Sequence, residues 1–228
     1  MNDDPKPVTP PSPSPAKPPL VVLLALAVGC LAVAIVAVMA LRPRPPMPVS
    51  APIAESGVMR VAGASIGGPF QLTDHSGRTV SEADFAGRFM LIYFGFTHCP
   101  DICPTELQVM ANAVDALGGD ESRVVPIFIT VDPQRDTVAH LKDYVAAFHP
   151  KVVGLTGNAE QIAAVAKAYK VYFSKQPGAV ADTKDYQVDH TSFVYLMGPD
   201  GVIRSVFRAG TSAKAMAGEI LGQLRLTN

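Results

Sequence analysis

Two cysteines four residues apart, Cys99 and Cys103, are the residues of this chain whose types and spacing most directly suggest chemistry. Thiolates bind soft metal ions and also exchange with disulfides. The third cysteine, Cys30, lies inside a hydrophobic segment, so the chain does not resemble a disulfide-stapled secreted domain. A structural disulfide would constrain little unfolded-state entropy across so short a loop, and two unrelated thiols are the other plain alternative. The pair therefore indicates metal binding or redox chemistry.

The pair lies where a buried strand should pass into a helix. Residues 89–95 form an almost wholly apolar, aromatic-rich run, which predicts a strand buried on both faces of a sheet. Pro104 suits the first turn of a helix, and apolar residues then recur at helical spacing as far as Gly118. Cys103 is therefore expected at a helix N-terminus, where free N–H groups and the helix dipole favour a thiolate.

Strand and helix patterns alternate along the rest of the chain. The strand-like segments are a hairpin at residues 70–80, buried strands at 124–131 and 152–155, and a second hairpin at 192–197 and 202–207. The residues expected to cap the intervening and final helices are Thr137, Asn158 and Ser212. This order predicts an α/β, thioredoxin-like fold with an N-terminal hairpin extension, whose site lies at the C-terminal ends of the strands.

Among the five histidines, His190 stands out because it lies in the loop, residues 188–192, that enters a predicted strand. In a thioredoxin-like fold this stretch lies beside the cysteine pair and usually carries a cis-proline, but no proline occurs here between Pro177 and Pro199. With Cys99 and Cys103, His190 would form a soft three-coordinate set that suits Cu(I), and Cu(II) if an oxygen ligand joins. Zinc would need a fourth ligand, which is not obvious. An ordinary loop histidine is the alternative.

The remaining histidines are weaker candidates. His98 and Asp189 each neighbour one of the three candidate ligands in sequence, and adjacent side chains diverge. We therefore expect these two residues to support a ligand or to lie at the surface, not to bind the metal themselves. No function is assigned to His75, His140 or His149.

The N-terminal part of the chain has a different composition. Residues 20–41 carry no charge and, at about 1.5 Å per helical residue, would span a bilayer core of roughly 30 Å. They predict a single transmembrane helix, with a cleaved signal peptide as the alternative. Proline-rich residues 1–19 and 42–59 predict a disordered tail and a flexible tether, which leaves residues 60–228 for one domain. The net charge of −1, without long runs of like charge, argues against nucleic-acid binding.

Three motifs, occurring in order, resemble the Sco/SenC family of membrane-tethered copper chaperones. They are GFTHCPDICPTE at residues 95–106, VDPQRDT at 131–137 and VDHTS at 188–192, and the resemblance covers about residues 60–226. It implies a thioredoxin-like fold, copper bound by Cys99, Cys103 and His190, and a role in assembling the dinuclear copper site of cytochrome c oxidase.

The resemblance also implies partners and supporting residues. The expected partners are the copper-bearing subunit of the oxidase, an upstream copper donor and a thiol reductant. Asp132 and Asp136 match the family's acidic motif, and either capping of the turn after a strand or contact with a partner would explain them. The resemblance, together with an N-terminus that lacks the Arg-rich character of a mitochondrial presequence, favours a bacterial inner membrane with the domain in the periplasm.

Two functions of different classes remain open. The first is a metallochaperone that binds copper and passes it on without catalytic turnover. The second is a thiol–disulfide oxidoreductase that keeps the cysteines of the target reduced. A CxxxC spacing in place of CxxC, together with His190, favours metal. A peroxidase is a weaker third possibility, because Thr97 lies only two positions before Cys99 and the spacing typical of peroxiredoxins is missing.

Overall fold

A mixed sheet organises the part of the chain that the computed structural model describes, residues 57–61, 64–176 and 186–227. The strands are β1 (Val58–Arg60), β2 (Gln71–Asp74), β3 (Thr79–Ser81), β4 (Phe89–Gly95), β5 (Val124–Thr130), β6 (Val153–Thr156), β7 (Phe173–Lys175), β8 (Val188–His190), β9 (Phe193–Met197) and β10 (Ile203–Arg208). The α-helices are α1 (Ile102–Asp115), α2 (Val138–Ala146), α3 (Ala159–Ala168) and α4 (Ala213–Leu226), and short 3-10 helices cover Glu82–Phe85 and Gly118–Arg123.

The topology places the parallel strands at the centre of the sheet. Within the described ranges the strand order is β1-β10-β9-β4-β5-β6-β2-β3. The β4–β5 and β5–β6 pairs are parallel and are connected through α1 and α2, whereas the other neighbouring pairs are antiparallel. The predicted α/β architecture, with its N-terminal hairpin and its closing hairpin and helix, is confirmed.

Burial explains why β4 and β5 read as continuous apolar runs. Every residue of both strands is buried, and the two strands pair in parallel register from Phe89–Val124 to Gly95–Thr130. A strand covered on both faces has no solvent side, so the usual alternation of polar and apolar residues is absent. The C-terminal end of β4 is therefore held rigidly where the cysteine loop begins.

The helix starts follow the expected capping chemistry. The Thr137 hydroxyl accepts a hydrogen bond from the His140 amide at 3.3 Å, and the Ser212 hydroxyl accepts one from the Ala215 amide at 3.2 Å. Asn158 closes a reciprocal capping box at 2.8 Å in both directions. These side chains satisfy amide groups that have no partner within the first helical turn.

Two features differ from the sequence-based expectations. Residues 188–190, expected as a loop, form β8, which pairs antiparallel with β7 and places His190 opposite Phe173. The main sheet also includes Val58 and Met59, which the sequence assigned to the tether, because β1 pairs with β10. Short strands of this kind depend on a partner far away in sequence and carry little periodicity of their own.

The predicted N-terminal segments lie outside the described residues. These are the tail at 1–19, the membrane helix at 20–41 and all but the last residues of the tether at 42–59. Among the helices of the described ranges, none combines the length and the apolar character needed to span a bilayer.

Candidate metal centre

The end of β4, the first turn of α1 and the end of β8 bring the three candidate ligands together. Cys99 lies in the loop between β4 and α1, Cys103 is the second residue of α1, and His190 ends β8. One ligand atom from each residue lies within 4.8 Å of the other two. Both cysteines are free thiols and buried, at 9% and 0% exposure, and His190 is half-buried.

The imidazole of His190 is oriented for binding through Nε2. This atom lies 3.3 Å from Cys103 Sγ, and Nδ1 lies 3.1 Å from the carbonyl oxygen of Thr191. A carbonyl oxygen only accepts hydrogen bonds, so it favours the tautomer with the proton on Nδ1. The lone pair of Nε2 is then directed towards the sulfurs, which is the arrangement usual for a metal-binding histidine.

The two thiols are electrostatically unequal. The pKa of Cys99 is lowered to about 5, first by a hydrogen bond from the Cys103 thiol, and further by the amides of Cys103 and Asp101; burial opposes these effects. The pKa of Cys103 is raised, because this thiol donates to Cys99 and is buried. These opposite shifts favour the negative charge on Cys99 and the proton on Cys103.

The expectation that the helix N-terminus favours a thiolate at Cys103 is therefore wrong. The backbone amide of Cys103 donates to Cys99 Sγ at 3.4 Å, so the first turn of α1 stabilises charge on the preceding cysteine. Free amides at a helix start point away from the helix body, towards the loop that leads into it. Spacing alone does not reveal which sulfur occupies that position.

Aromatic side chains enclose the site. The hydroxyl of Tyr93 donates to Cys103 Sγ at 3.7 Å, and burial raises the pKa of this phenol, which keeps it protonated. The rings of Tyr93 and Phe96 contact the His190 ring edge-on, with centroids 6.1 Å and 5.8 Å apart. Sequence reasoning missed Tyr93. The only available signal was a hydroxyl within the apolar run that precedes the cysteines.

Gly95, the last residue of β4, leaves space for the sulfur of Cys103. A Cβ atom at this position would lie 2.9 Å from a Phe128 ring carbon, 3.0 Å from Cys103 Sγ and 3.1 Å from a Tyr93 ring carbon. These distances are shorter than normal van der Waals contact. The glycine is therefore required by the packing of the cysteine helix against β4.

Asp136 is fully buried and connects the cysteine loop to β5. Its carboxylate accepts hydrogen bonds from the Thr97 amide at 3.0 Å, the Thr97 hydroxyl at 2.5 Å and the Thr130 hydroxyl at 2.5 Å. Asp136 does not belong to the cysteine–histidine group. It fixes the backbone two residues before Cys99, a role closer to turn stabilisation than to direct contact with a partner.

Asp132 is also fully buried, but it lies in a different network. Its carboxylate pairs with Arg135 at 2.5 Å and accepts a hydrogen bond from the Tyr186 hydroxyl at 2.6 Å. The Arg135 guanidinium in turn lies over the Tyr186 ring, 3.8 Å from its centroid. This network stabilises the turn after β5, and a buried aspartate is not available for direct contact with a partner.

The two sequence neighbours of the ligands point elsewhere. The carboxylate of Asp189 is exposed and bonded to the side chain of Gln176, so it does not orient His190, and the Thr191 carbonyl takes that place. His98 is 43% exposed and bonds to Thr97 through Nδ1 at 3.0 Å. Neither residue belongs to the cysteine–histidine group.

The arrangement supports two kinds of chemistry. Two sulfurs and one imidazole nitrogen are soft donors, and no fourth His, Cys or carboxylate ligand joins them among the described residues. Such a low-coordinate set suits Cu(I) better than zinc. A thiolate hydrogen-bonded to a thiol could equally attack a disulfide and be resolved by its neighbour.

Comparison with known proteins identifies relatives of most of the chain. The family model described as SCO1/SenC matches residues 59–225. The Protein SCO2 homolog, mitochondrial, of Bos taurus is 47% identical over 160 residues, which cover 69% of this chain and 59% of the relative. The match therefore spans less than two thirds of the relative's own length.

Solved structures agree with this similarity. Bradyrhizobium japonicum ScoI with copper bound superposes with a TM-score of 0.64 at 43% identity, covering 69% of this chain and 98% of that chain. BsSco is described as containing a disulfide switch and as a member of the Sco family of cytochrome c oxidase assembly proteins. It superposes with a TM-score of 0.56 at 26% identity, covering 72% of this chain and 96% of that chain.

Proposed function

The chain belongs to the SCO1/SenC family, and from this premise we propose that it is a copper chaperone. In this proposal Cys99, Cys103 and His190 bind copper, and the protein delivers it to the dinuclear copper site of cytochrome c oxidase during assembly. The observation that carries the proposal is the convergence of two sulfurs and one imidazole nitrogen within 4.8 Å. Copper is the metal named for the Bradyrhizobium japonicum relative, and oxidase assembly is the role named for the family of BsSco.

The protonation states suit the capture of Cu(I). Cys99, with its pKa lowered to about 5, offers a thiolate at neutral pH, whereas Cys103 must release a proton to bind as a thiolate. Copper binding is therefore expected to release about one proton per ion at neutral pH. Cu(II) would need an added oxygen ligand, which water could supply.

An open cleft beside the site would let a partner reach the metal. A cavity of about 470 Å³ is lined by residues that include Cys99 and His190, and Ile102 on its rim is 37% exposed. A chaperone has to release its cargo by exchanging its own ligands for those of the acceptor. The proposed partners are an upstream copper donor, a thiol reductant and the copper-bearing oxidase subunit.

The alternative function is that of a thiol–disulfide oxidoreductase, and the lowered pKa of Cys99 favours it. The Cys99 thiolate would attack a disulfide of the partner, forming a mixed disulfide and releasing one partner thiol. Cys103 would then attack Cys99, which leaves a Cys99–Cys103 disulfide and a fully reduced partner. Two electrons pass to the partner, and a separate thiol reductant must restore the pair.

A transfer experiment separates the two functions. The full-length chain in detergent, loaded with Cu(I), is mixed with the copper-bearing domain of the oxidase subunit, supplied either reduced and metal-free or as its disulfide. The chaperone predicts copper transfer to the reduced form, lost in His190→Ala. The oxidoreductase predicts instead that the disulfide form is reduced, at equal rates by the parent chain and by His190→Ala, and that no copper is transferred. That result would contradict the chaperone function and support the oxidoreductase.

We also propose that residues 20–41 anchor the chain in a bacterial inner membrane, with residues 60–228 in the periplasm. The support is the uncharged apolar run itself. The bovine relative is named as mitochondrial, whereas the Bradyrhizobium japonicum structure comes from a bacterium. Extraction of membranes at alkaline pH tests the anchor, since an anchored chain stays with the lipid, and release into the supernatant would contradict the anchor.

A further inference from the structure

A second cluster of metal-ligating side chains lies outside the cysteine site. It consists of His98, Asp136 and His140, whose ligand atoms lie within 4.8 Å of one another. We propose that this cluster binds a second metal ion, a divalent transition metal of borderline softness such as Cu(II) or Zn(II). The proposal goes beyond the chaperone function, which uses none of these three residues as a ligand.

The distances suit a single ion. His98 Nδ1 lies 3.7 Å from Asp136 Oδ1, and the imidazole rings of His98 and His140 have centroids 5.3 Å apart at an interplanar angle of 35°. A metal with bonds of about 2.0–2.2 Å holds its ligand atoms roughly 3–4 Å apart. Both histidines are exposed, and His98 Nδ1, which contacts the Thr97 hydroxyl at 3.0 Å, would exchange that contact for the ion.

The carboxylate is already held in place. Asp136 Oδ2 accepts hydrogen bonds from the Thr97 amide and the Thr130 hydroxyl, while Oδ1, the atom nearer His98, accepts one from the Thr97 hydroxyl. Supporting hydrogen bonds of this kind orient ligating carboxylates in metal sites. His140 lies in the first turn of α2, whose cap Thr137 directly follows Asp136, so two of the three residues share a rigid frame.

The two histidines of the cluster border an open cavity, whereas the buried Asp136 does not line it and would meet the ion from the protein side. A cavity of about 470 Å³ is lined by His98, His140, Gln134, Arg135 and Tyr186. The charge of Arg135 opposes cation binding, but it is offset by its ion pair with the buried carboxylate of Asp132 at 2.5 Å.

The ligand chemistry distinguishes this cluster from the cysteine site. Two imidazoles and one carboxylate suit Cu(II), Ni(II) or Zn(II), whereas two thiolates and an imidazole suit Cu(I). Cu(II) should bind most tightly, following the usual order of stability for divalent metals. The chain would then carry two neighbouring metal sites with ligands of different softness. The two sites would be adjacent in sequence, because His98 of one site directly precedes Cys99 of the other.

The test first replaces the two cysteines, so that only the second site can bind a metal, and then replaces one histidine of the cluster. The full-length chain in detergent, carrying Cys99→Ser and Cys103→Ser, is titrated with Cu(II) and with Zn(II) by calorimetry. We expect about one equivalent of each metal to bind, and His140→Gln in this background to weaken the binding by about tenfold or more. His149→Gln is the matched control, because this histidine pairs with Asp115 and lies outside the cluster.

Two results would overturn the second site. The first is that Cu(II) and Zn(II) bind the double cysteine variant with the same affinity whether or not it also carries His140→Gln. The second is that His140→Gln and His149→Gln weaken metal binding equally, which would indicate nonspecific binding to surface histidines. The electron paramagnetic resonance spectrum of bound Cu(II) should show nitrogen and oxygen ligands and should change in His140→Gln. Cu(I) binding to the unsubstituted cysteines should be unaffected by His140→Gln, so this proposal and the chaperone function fail independently.

Discussion

At the residue scale, two hydrogen bonds to one sulfur, first from the Cys103 thiol and then from the Cys103 amide, move the pKa values of two chemically identical side chains in opposite directions. The amide of Cys103 donates to the sulfur of Cys99, and the thiol of Cys103 donates to the same atom. Burial then disfavours a second charge on Cys103. In the proposed function, Cys99 would then bind the metal readily as a thiolate, and Cys103 would bind when the metal replaces its proton.

This difference predicts unequal alkylation of the reduced, metal-free chain. Cys99 should react with iodoacetamide down to about pH 5, whereas Cys103 should stay unreactive well above the usual thiol pKa of about 8.5. Peptide mass spectrometry after short alkylation pulses across this pH range measures both rates. If the two cysteines lose reactivity together near pH 8.5, the proposed difference is absent.

The same pKa values fix the sign of the pH dependence of stability. Because the folded-state pKa of Cys99 lies below its unfolded value, its contribution is present above about pH 8.5 and is lost as the pH falls through about 5. Cys103 contributes with the opposite sign, and its contribution is lost as the pH rises above about 8.5. Urea unfolding of Cys99→Ala should accordingly show a weaker rise of stability between pH 5 and 8.5 than the parent chain, and an unchanged slope would contradict the assignment.

The sequence predicted which residues converge, but not how they share charge. The spacing of the cysteines, the position of His190 before a strand and the family resemblance were sufficient to select the three candidate ligands, which the structure brings together. The thiolate was expected at Cys103, but the pKa of Cys99 is the one that is lowered, because both the thiol and the amide of Cys103 donate to its sulfur, an arrangement that spacing does not reveal. Tyr93 was missed because nothing in an apolar strand indicates which side chain faces a sulfur.

At the scale of elements, the cysteine loop is held from three sides by β4, α1 and the turn after β5. Asp136 provides the third connection, through hydrogen bonds to Thr97 and Thr130. The acidic motif was recognisable in sequence, but its partner Thr97 lies 39 residues away, so its role could not be derived from spacing. The capped helices were predictable because their signals are local, whereas β7 and β8 were not, because each strand has only three residues.

Replacing Asp136 should loosen the cysteine loop. In Asp136→Ala the amide and hydroxyl of Thr97 lose their buried acceptor, which we expect to cost about 1–3 kcal/mol of unfolding free energy in urea titrations. Hydrogen exchange of residues 96–101 should become faster. Asp120→Ala is the control, since this half-buried aspartate pairs with Arg123 near the surface, and we expect a change within about 0.5 kcal/mol. Unchanged exchange at 96–101 would show that Asp136 does not position the loop.

Gly95→Ala, at the end of β4, should displace the sulfur of Cys103. The added methyl group would press on Cys103 Sγ and on the ring of Phe128, and overpacking of this kind costs about 1–3 kcal/mol. Because the sulfur must move, Cu(I) affinity should fall together with stability. The control is Gly119→Ala, where a Cβ meets nothing within 4 Å. Equal stability and equal copper affinity of the two variants, measured by urea unfolding and Cu(I) competition, would contradict this packing argument.

At the scale of the whole molecule, the candidate site exists only in the folded chain. Cys103 and His190 lie 87 residues apart in sequence and meet because β4 is central in the sheet and β8 is paired with β7. A ligand that binds only the folded state stabilises it. Copper binding, folding and delivery are therefore coupled in the proposed function, and the oxidation of the cysteines to a disulfide would remove the site.

The most direct test of the central claim is Cu(I) binding by the reduced full-length chain in detergent, measured by competition with a chromogenic Cu(I) chelator. We predict near-equimolar binding, weakened by about tenfold or more in each of Cys99→Ser, Cys103→Ser and His190→Ala. The control His149→Gln should bind like the parent chain. Copper held as tightly by Cys103→Ser and His190→Ala as by the parent chain would contradict the three-ligand site, and with it the chaperone proposal.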